Sequence, residues 1–119
     1  MEGMKNMPCI QTKVNVSITD EQEKSMKKRM GEAISIIPGK SESWLMLDFE
    51  DNCHLYFKGT EQPSAFIEVK IYGKSSAQVY DKLTSKLTEI VSSELNIPAE
   101  RIYVKYEEVS FWGYNGHNF

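Results

Sequence analysis

Ile10, Thr12, Val14 and Val16, β-branched residues at every second position, alternate with the polar Gln11, Lys13 and Asn15. That period predicts a half-buried strand over 7–16. Pro8 stands at its start, where a missing backbone N–H costs a sheet nothing. The period then changes. Thr19 and, three residues on, Gln22 form a capping box, and Asp20 and Glu21 place negative charge at the positive end of the helix dipole. Met26, Met30, Ala33, Ile34 and Ile37 follow at helical spacing, a stripe that faces a core, and Pro38-Gly39 stops the helix. After a short loop over 40–43, the nearly continuous apolar run over 44–49 predicts a strand buried on both faces. Residues 50–52 turn the chain, and 53–58 predict a short extra strand.

From mid-chain the pattern repeats. Beyond a loop over 59–63, Ala65, Ile67, Val69 and Ile71 alternate with Phe66, Glu68, Lys70 and Tyr72. Ser75 and Gln78 read as a second capping box. Ala77, Tyr80, Leu83, Leu87, Ile90, Val91 and Leu95 form a second helical stripe, Asn96-Ile97-Pro98 ends it, and 101–107 alternate as another strand. Strand, capped helix, proline-marked stop and strand therefore occur twice. Two β-α-β units predict an α+β fold with a four-stranded mixed sheet and both helices on one face. The other face would carry Gln11, Lys13, Phe66, Glu68, Tyr72 and Tyr103. A mixed aromatic and charged face of that kind predicts self-association. The last ten residues hold four aromatics among small residues, which suits packing on a neighbour or walling a pocket.

Composition narrows the function. With 119 residues, 40% hydrophobic and 26% charged, the chain is expected to form one soluble domain. A net charge of −3 with dispersed positive residues gives no electrostatic footprint for nucleic acid, and Lys27-Lys28-Arg29 reads as a solvated helix face. Cys9 and Cys53 make neither a metal spacing nor a C-x-x-C pair, so no metal or cofactor is expected. No apolar run reaches the ~20 residues of a membrane span, and residues 1–7 lack the apolar core of a secretory signal, so a cytoplasmic protein is expected. Pro8 alone carries two readings. It is a strand-opening proline, or, where the chain starts at Pro8 after loss of residues 1–7, a secondary amine. Such an amine titrates near ~8 in water and lower in an apolar pocket, the range of a general base.

Met7-Pro8-Cys9, Pro38-Gly39-Lys40, Phe57-x-Gly59-Thr60, Pro98-x-Glu100-Arg101-Ile102-Tyr103-Val104 and Gly113-Tyr114-Asn115-Gly116-x-Asn118-Phe119 occur in that order. By these motifs residues 7–119 resemble the macrophage migration inhibitory factor family of the tautomerase superfamily. The resemblance implies a homotrimer with its active sites between subunits, and residues 8–119 as one tautomerase domain behind an extension over 1–7. It implies keto–enol tautomerisation of phenylpyruvate- and dopachrome-type substrates, with Pro8 as the base. Lys40 would hold the substrate carboxylate, and Tyr103 would come from a neighbouring subunit. Trp44, Tyr114 and Phe119 would form an aromatic wall, and the Tyr72 backbone N–H would contact the substrate. A cell-surface receptor reached by leaderless secretion is the further partner it implies. Two departures stand out. Ser64-Ala65-Phe66-Ile67 replaces the C-x-x-C of vertebrate members, so no thiol-oxidoreductase activity is expected, and Lys105 replaces a frequent asparagine beside the pocket.

Overall fold

The structure, a computed structural model, describes residues 7–119, and the expectation for 1–6 lies outside the described residues. Strand β1 (Pro8–Val14) leads through helix α1 (Asp20–Ala33) to β2 (Met46–Glu50). Strand β3 (Ala65–Tyr72) leads through α2 (Ala77–Leu95) to β4 (Ile102–Val109). Their order in the sheet is β2-β1-β3-β4. The pairs β1–β2 and β3–β4 are parallel, and β1–β3 in the middle is antiparallel. This is the mixed sheet that two β-α-β units predict.

Both helices cover one face. Ile10, Val14, Ile67, Val69 and Ile71 meet Met26, Met30 and Ile34 of the first half and Leu83, Leu87, Ile90 and Val91 of the second, all buried. Thr12 lies among them with 0% exposure, its hydroxyl without a hydrogen-bond partner. The capping box at α1 forms as expected: Gln22 N–H donates to Thr19 Oγ1 at 3.1 Å and Thr19 N–H to Gln22 Oε1 at 2.9 Å. At α2 the cap is Ser76 rather than Ser75, since Val79 N–H donates to Ser76 Oγ at 3.2 Å. Ser75 is held outside the helix by donating its own N–H to Tyr80 Oη at 2.9 Å. The helix therefore starts one residue later, and Ala77 is exposed instead of on the buried stripe. Asn96, in the left-handed conformation at φ 56°, ends α2.

Two strand expectations are corrected. The run over 44–49 is not buried on both faces: β2 lies at the edge of the sheet beside β1 alone, and Met46 is 69% exposed. Trp44 belongs to the 3-10 turn Glu42–Trp44 before it. Residues 53–58 form no strand. Beyond the bond from Cys53 N–H to Val14 O at 2.9 Å and the turn between Phe57 and Thr60, their neighbourhood is held by a side chain, with Asn15 Nδ2 donating to the carbonyls of Leu55, Glu61 and Gln62 at 3.4, 3.2 and 3.0 Å. The tail folds into a hairpin of β5 (Gly113–Tyr114) and β6 (His117–Asn118). Asn115 and Gly116, at φ 53° and 85°, supply the two left-handed residues such a tight turn needs. Across the sheet face away from the helices, Lys70 Nζ donates to Gln11 Oε1 at 2.6 Å and Lys105 lies 3.7 Å from Glu68. No helix among the described residues is long and apolar enough to cross a membrane.

Candidate active site

Pro8 opens β1 opposite Ile71 of β3. In front of it lies a cavity of about 650 Å³ whose lining includes Cys9, Trp44, Lys70, Trp112 and Tyr114. The 3-10 turn before β2 delivers Trp44, and the C-terminal hairpin delivers Tyr114. The two rings meet edge to face, 5.2 Å between centroids at 84°, an arrangement their quadrupoles favour. Phe119 N–H donates to Trp112 O at 3.2 Å, so the hairpin closes next to the cavity. Three of the residues expected from the sequence, Pro8, Trp44 and Tyr114, are thus brought together.

Lys40, Tyr72 and Phe119 form a second group around the end of β3. Left-handed Gly39 at φ 83° turns the chain after the first helical segment. Lys40 follows with only 7% exposure and donates from Nζ to Tyr72 O at 3.1 Å. Burial lowers its pKa from the ordinary 10.5, because a low-dielectric surrounding disfavours the ammonium. Tyr72 N–H donates to Met7 O at 3.2 Å, one step before Pro8. The Tyr72 ring faces Phe119 at 5.6 Å and 56°. Lys40 and Phe119 are therefore tied to Pro8 through a single residue of the adjacent strand.

Tyr103 stands apart. Pro8 pairs with Ile71 but Tyr103 pairs beside Phe66, five residues earlier on β3, roughly 16 Å along the strand. It is 60% exposed, and its ring meets Phe57 at 4.8 Å and 62°. Within one chain Tyr103 cannot reach Pro8.

Trp112 and Lys70 enter the Pro8 cavity without having been singled out from the sequence. The alternation of β3 puts Lys70 on the same face as Tyr72, a signal that was readable. Trp112 was readable only as one of four tail aromatics, since nothing local says which of them turn inward. Cys9 lines the cavity as well, and burial raises its pKa from 9.0, which disfavours the reactive thiolate. As part of the chain described, the Pro8 nitrogen is the amide of the Met7–Pro8 bond and has no basicity. Met7 itself is buried.

The sequence model of macrophage migration inhibitory factor (MIF) matches residues 7–119. The crystal structure of Leishmania major MIF2 superposes with a TM-score of 0.90 at 32% identity, covering 96% of this chain and 98% of that one. Macrophage migration inhibitory factor of Xenopus laevis is 25% identical over 118 residues, 95% of this chain and 99% of the relative. The homolog from Brugia malayi is 27% identical over 94 residues, 77% of this chain and 82% of the relative. A sequence match over nearly the whole chain, on a fold that gathers Pro8 and its aromatic wall at one end, makes this chain a member of the macrophage migration inhibitory factor family of the tautomerase superfamily.

Proposed function

We propose that the form of this chain beginning at Pro8 is a keto–enol tautomerase of phenylpyruvate- and dopachrome-type substrates, working as a homotrimer. MIF-fold proteins are generally trimeric, and the separation of Tyr103 from Pro8 within one chain favours a site completed by a neighbour. The observation that carries the reading is the position of Pro8 as first residue of β1, at a cavity walled by Trp44, Trp112 and Tyr114.

In that form the Pro8 nitrogen is a neutral secondary amine in a partly apolar cavity. It takes a proton from the carbon next to the substrate carbonyl. The C–H electron pair becomes the C=C bond, the carbonyl pair moves onto oxygen, and the prolinium returns its proton to that oxygen. Lys40 holds the carboxylate, and the aromatic walls hold the flat conjugated substrate and exclude water. Intact-mass measurement on protein from its own source, followed by a phenylpyruvate assay, tests this. A mass starting at Pro8 with turnover is expected. A protein starting at Pro8 that turns over neither substrate overturns it.

A second reading is a signalling protein, cytoplasmic and released without a leader, that binds a cell-surface receptor, or a trimer that binds ligand without turning it over. Met7 favours it: the residue is buried and its carbonyl accepts the Tyr72 N–H, so β3 accommodates a chain that continues before Pro8. Receptor binding that survives replacement of Pro8 by glycine would mark this activity as separate from catalysis.

A further inference from the structure

We propose that Arg101 is the residue that positions Tyr103 for the neighbouring subunit's site, acting through Phe57. This rests on the reading of Tyr103 as a pocket residue of that neighbour.

The connection is continuous. Phe57 N–H donates to Thr60 O at 2.8 Å and Thr60 N–H to Phe57 O at 3.1 Å, closing a two-residue turn. Its central residues, Lys58 and Gly59, have φ of 55° and 76°, the left-handed pair of a tight reverse turn. That turn belongs to no sheet ladder, and Arg101 grips it from β4's approach. Nη2 donates to Thr60 O and Gln62 O, both at 3.1 Å. Nε donates to Pro63 O at 3.0 Å and Ser64 Oγ at 3.1 Å. The guanidinium carbon lies 5.4 Å from the centre of the Phe57 ring, within the range of a cation–π contact. Phe57 in turn meets Tyr103 edge to face. Arg101 and Tyr103 leave the same strand approach two residues apart, so one end of the grip is fixed to Tyr103's own backbone.

A planar fork with several donors suits this role, and an ammonium does not replace it. Lysine would keep the charge but could not hold two carbonyls from one nitrogen, a third from another, and a ring face at once. The hollow of about 190 Å³ between Tyr56, Phe57, Phe66 and Tyr103 explains why positioning matters. Among the described residues Tyr103 makes its ring contact with Phe57 alone, so a loosened Phe57 leaves the tyrosine room to swing into that space.

The test uses the trimer beginning at Pro8, with phenylpyruvate, comparing wild type with Arg101→Lys, Phe57→Leu, Tyr103→Ala and the Arg101→Lys/Tyr103→Ala double variant. For Arg101→Lys and Phe57→Leu we expect KM to rise several-fold with kcat within about twofold, in trimers of unchanged mass. The double variant should be no worse than Tyr103→Ala alone, since both remove the same contact. Ring resonances of Tyr103, recorded by NMR without substrate, should lose the shift imposed by Phe57 in both single variants. Additive KM effects, or an unmoved Tyr103 resonance in folded Arg101→Lys, overturn the proposal. A wild-type trimer with no turnover, but with the Tyr103 resonance moved by Arg101→Lys, defeats the tautomerase reading and leaves the positioning link standing.

Discussion

At the Pro8 end of the sheet, Trp44 and Tyr114 close on each other within a single chain, beside Trp112 and in front of the residue that opens β1. At the other end, Tyr103 is held just as deliberately, on Phe57 and a turn pinned by Arg101, yet it faces solvent at 60% exposure and has no counterpart of Pro8 beside it. One end is an open cavity with an aromatic wall and the other is a braced fragment. In the proposed trimer the site and the assembly become one problem: the same β-α-β repeat that builds the cavity at one end would carry its missing wall to the other.

The sharpest way to break this comparison is at Pro8. In the form beginning there, acylating the terminal nitrogen or making Pro8→Gly should lower phenylpyruvate turnover at least about a hundredfold, the range lost when a positioned general base is removed. The Tyr103 end should be untouched, so trimer mass is expected to stay the same. Turnover that survives acylation would show that the cavity does chemistry without its proline. Next in size is Lys40. Lys40→Gln should raise KM about tenfold with little change in kcat, the result of losing one charge-assisted contact. Because burial lowers the Lys40 pKa from 10.5, the wild-type pH profile should also be distinctive. Between the lowered value and 10.5 the unfolded chain holds more protons at this site than the folded one, so folding stability rises with pH. Affinity for a carboxylate falls over the same window as the ammonium is lost. Parallel rises in urea stability and in KM over that window are expected, and both should vanish in Lys40→Gln.

A smaller effect belongs to Tyr103. Tyr103→Ala should raise KM about threefold to fivefold, as loss of one aromatic wall contact does, without changing kcat. Mixing subunits sharpens the point. Trimers assembled from Pro8→Gly and Tyr103→Ala chains should contain sites that combine an intact Pro8 with an intact Tyr103, and the wild-type KM should reappear in part of the activity. If every site keeps the raised KM, Tyr103 serves its own chain, and the separation of the two ends has no functional meaning.

How far all this could be read from sequence follows from the range of the interactions involved. The strands β1, β3 and β4, both helices and the Thr19 cap are local patterns of period two or 3.6 with a side-chain cap, and each is visible in a short window. The failures are non-local. The run over 44–49 has the composition of a central strand, but its edge position depends on how the two β-α-β units pair. Residues 53–58 read as a strand, yet they join no ladder: Cys53 N–H reaches Val14 O, Leu55 O takes the Asn15 side chain, and Phe57 closes a turn on Thr60, itself held by Arg101 far away in sequence. The Ser75 cap lost to Ser76 because Tyr80 took the Ser75 N–H. At the site, Pro8, Trp44 and Tyr114 were named and do meet, whereas Trp112 and Lys70 needed the fold to place them.

The smallest expected effect lies midway between the two ends. Thr12 sits in β1 opposite Ile67, fully buried on the helix-covered face, with a hydroxyl that finds no partner. A buried hydroxyl without a hydrogen bond carries its desolvation cost uncompensated, about 1 kcal/mol or more. Valine keeps the branched shape that suits a strand and removes the polar atom. Thr12→Val should therefore raise stability by about 1 kcal/mol, near 4 °C in Tm for a chain of this size, measured at fixed protein concentration because assembly also shifts Tm. Its KM and kcat should match wild type, since the residue touches neither the Pro8 cavity nor the Phe57–Tyr103 brace. A loss of stability would mean that the hydroxyl holds a partner inside the core, and that β1 is more than a neutral spacer between the cavity and its distant wall.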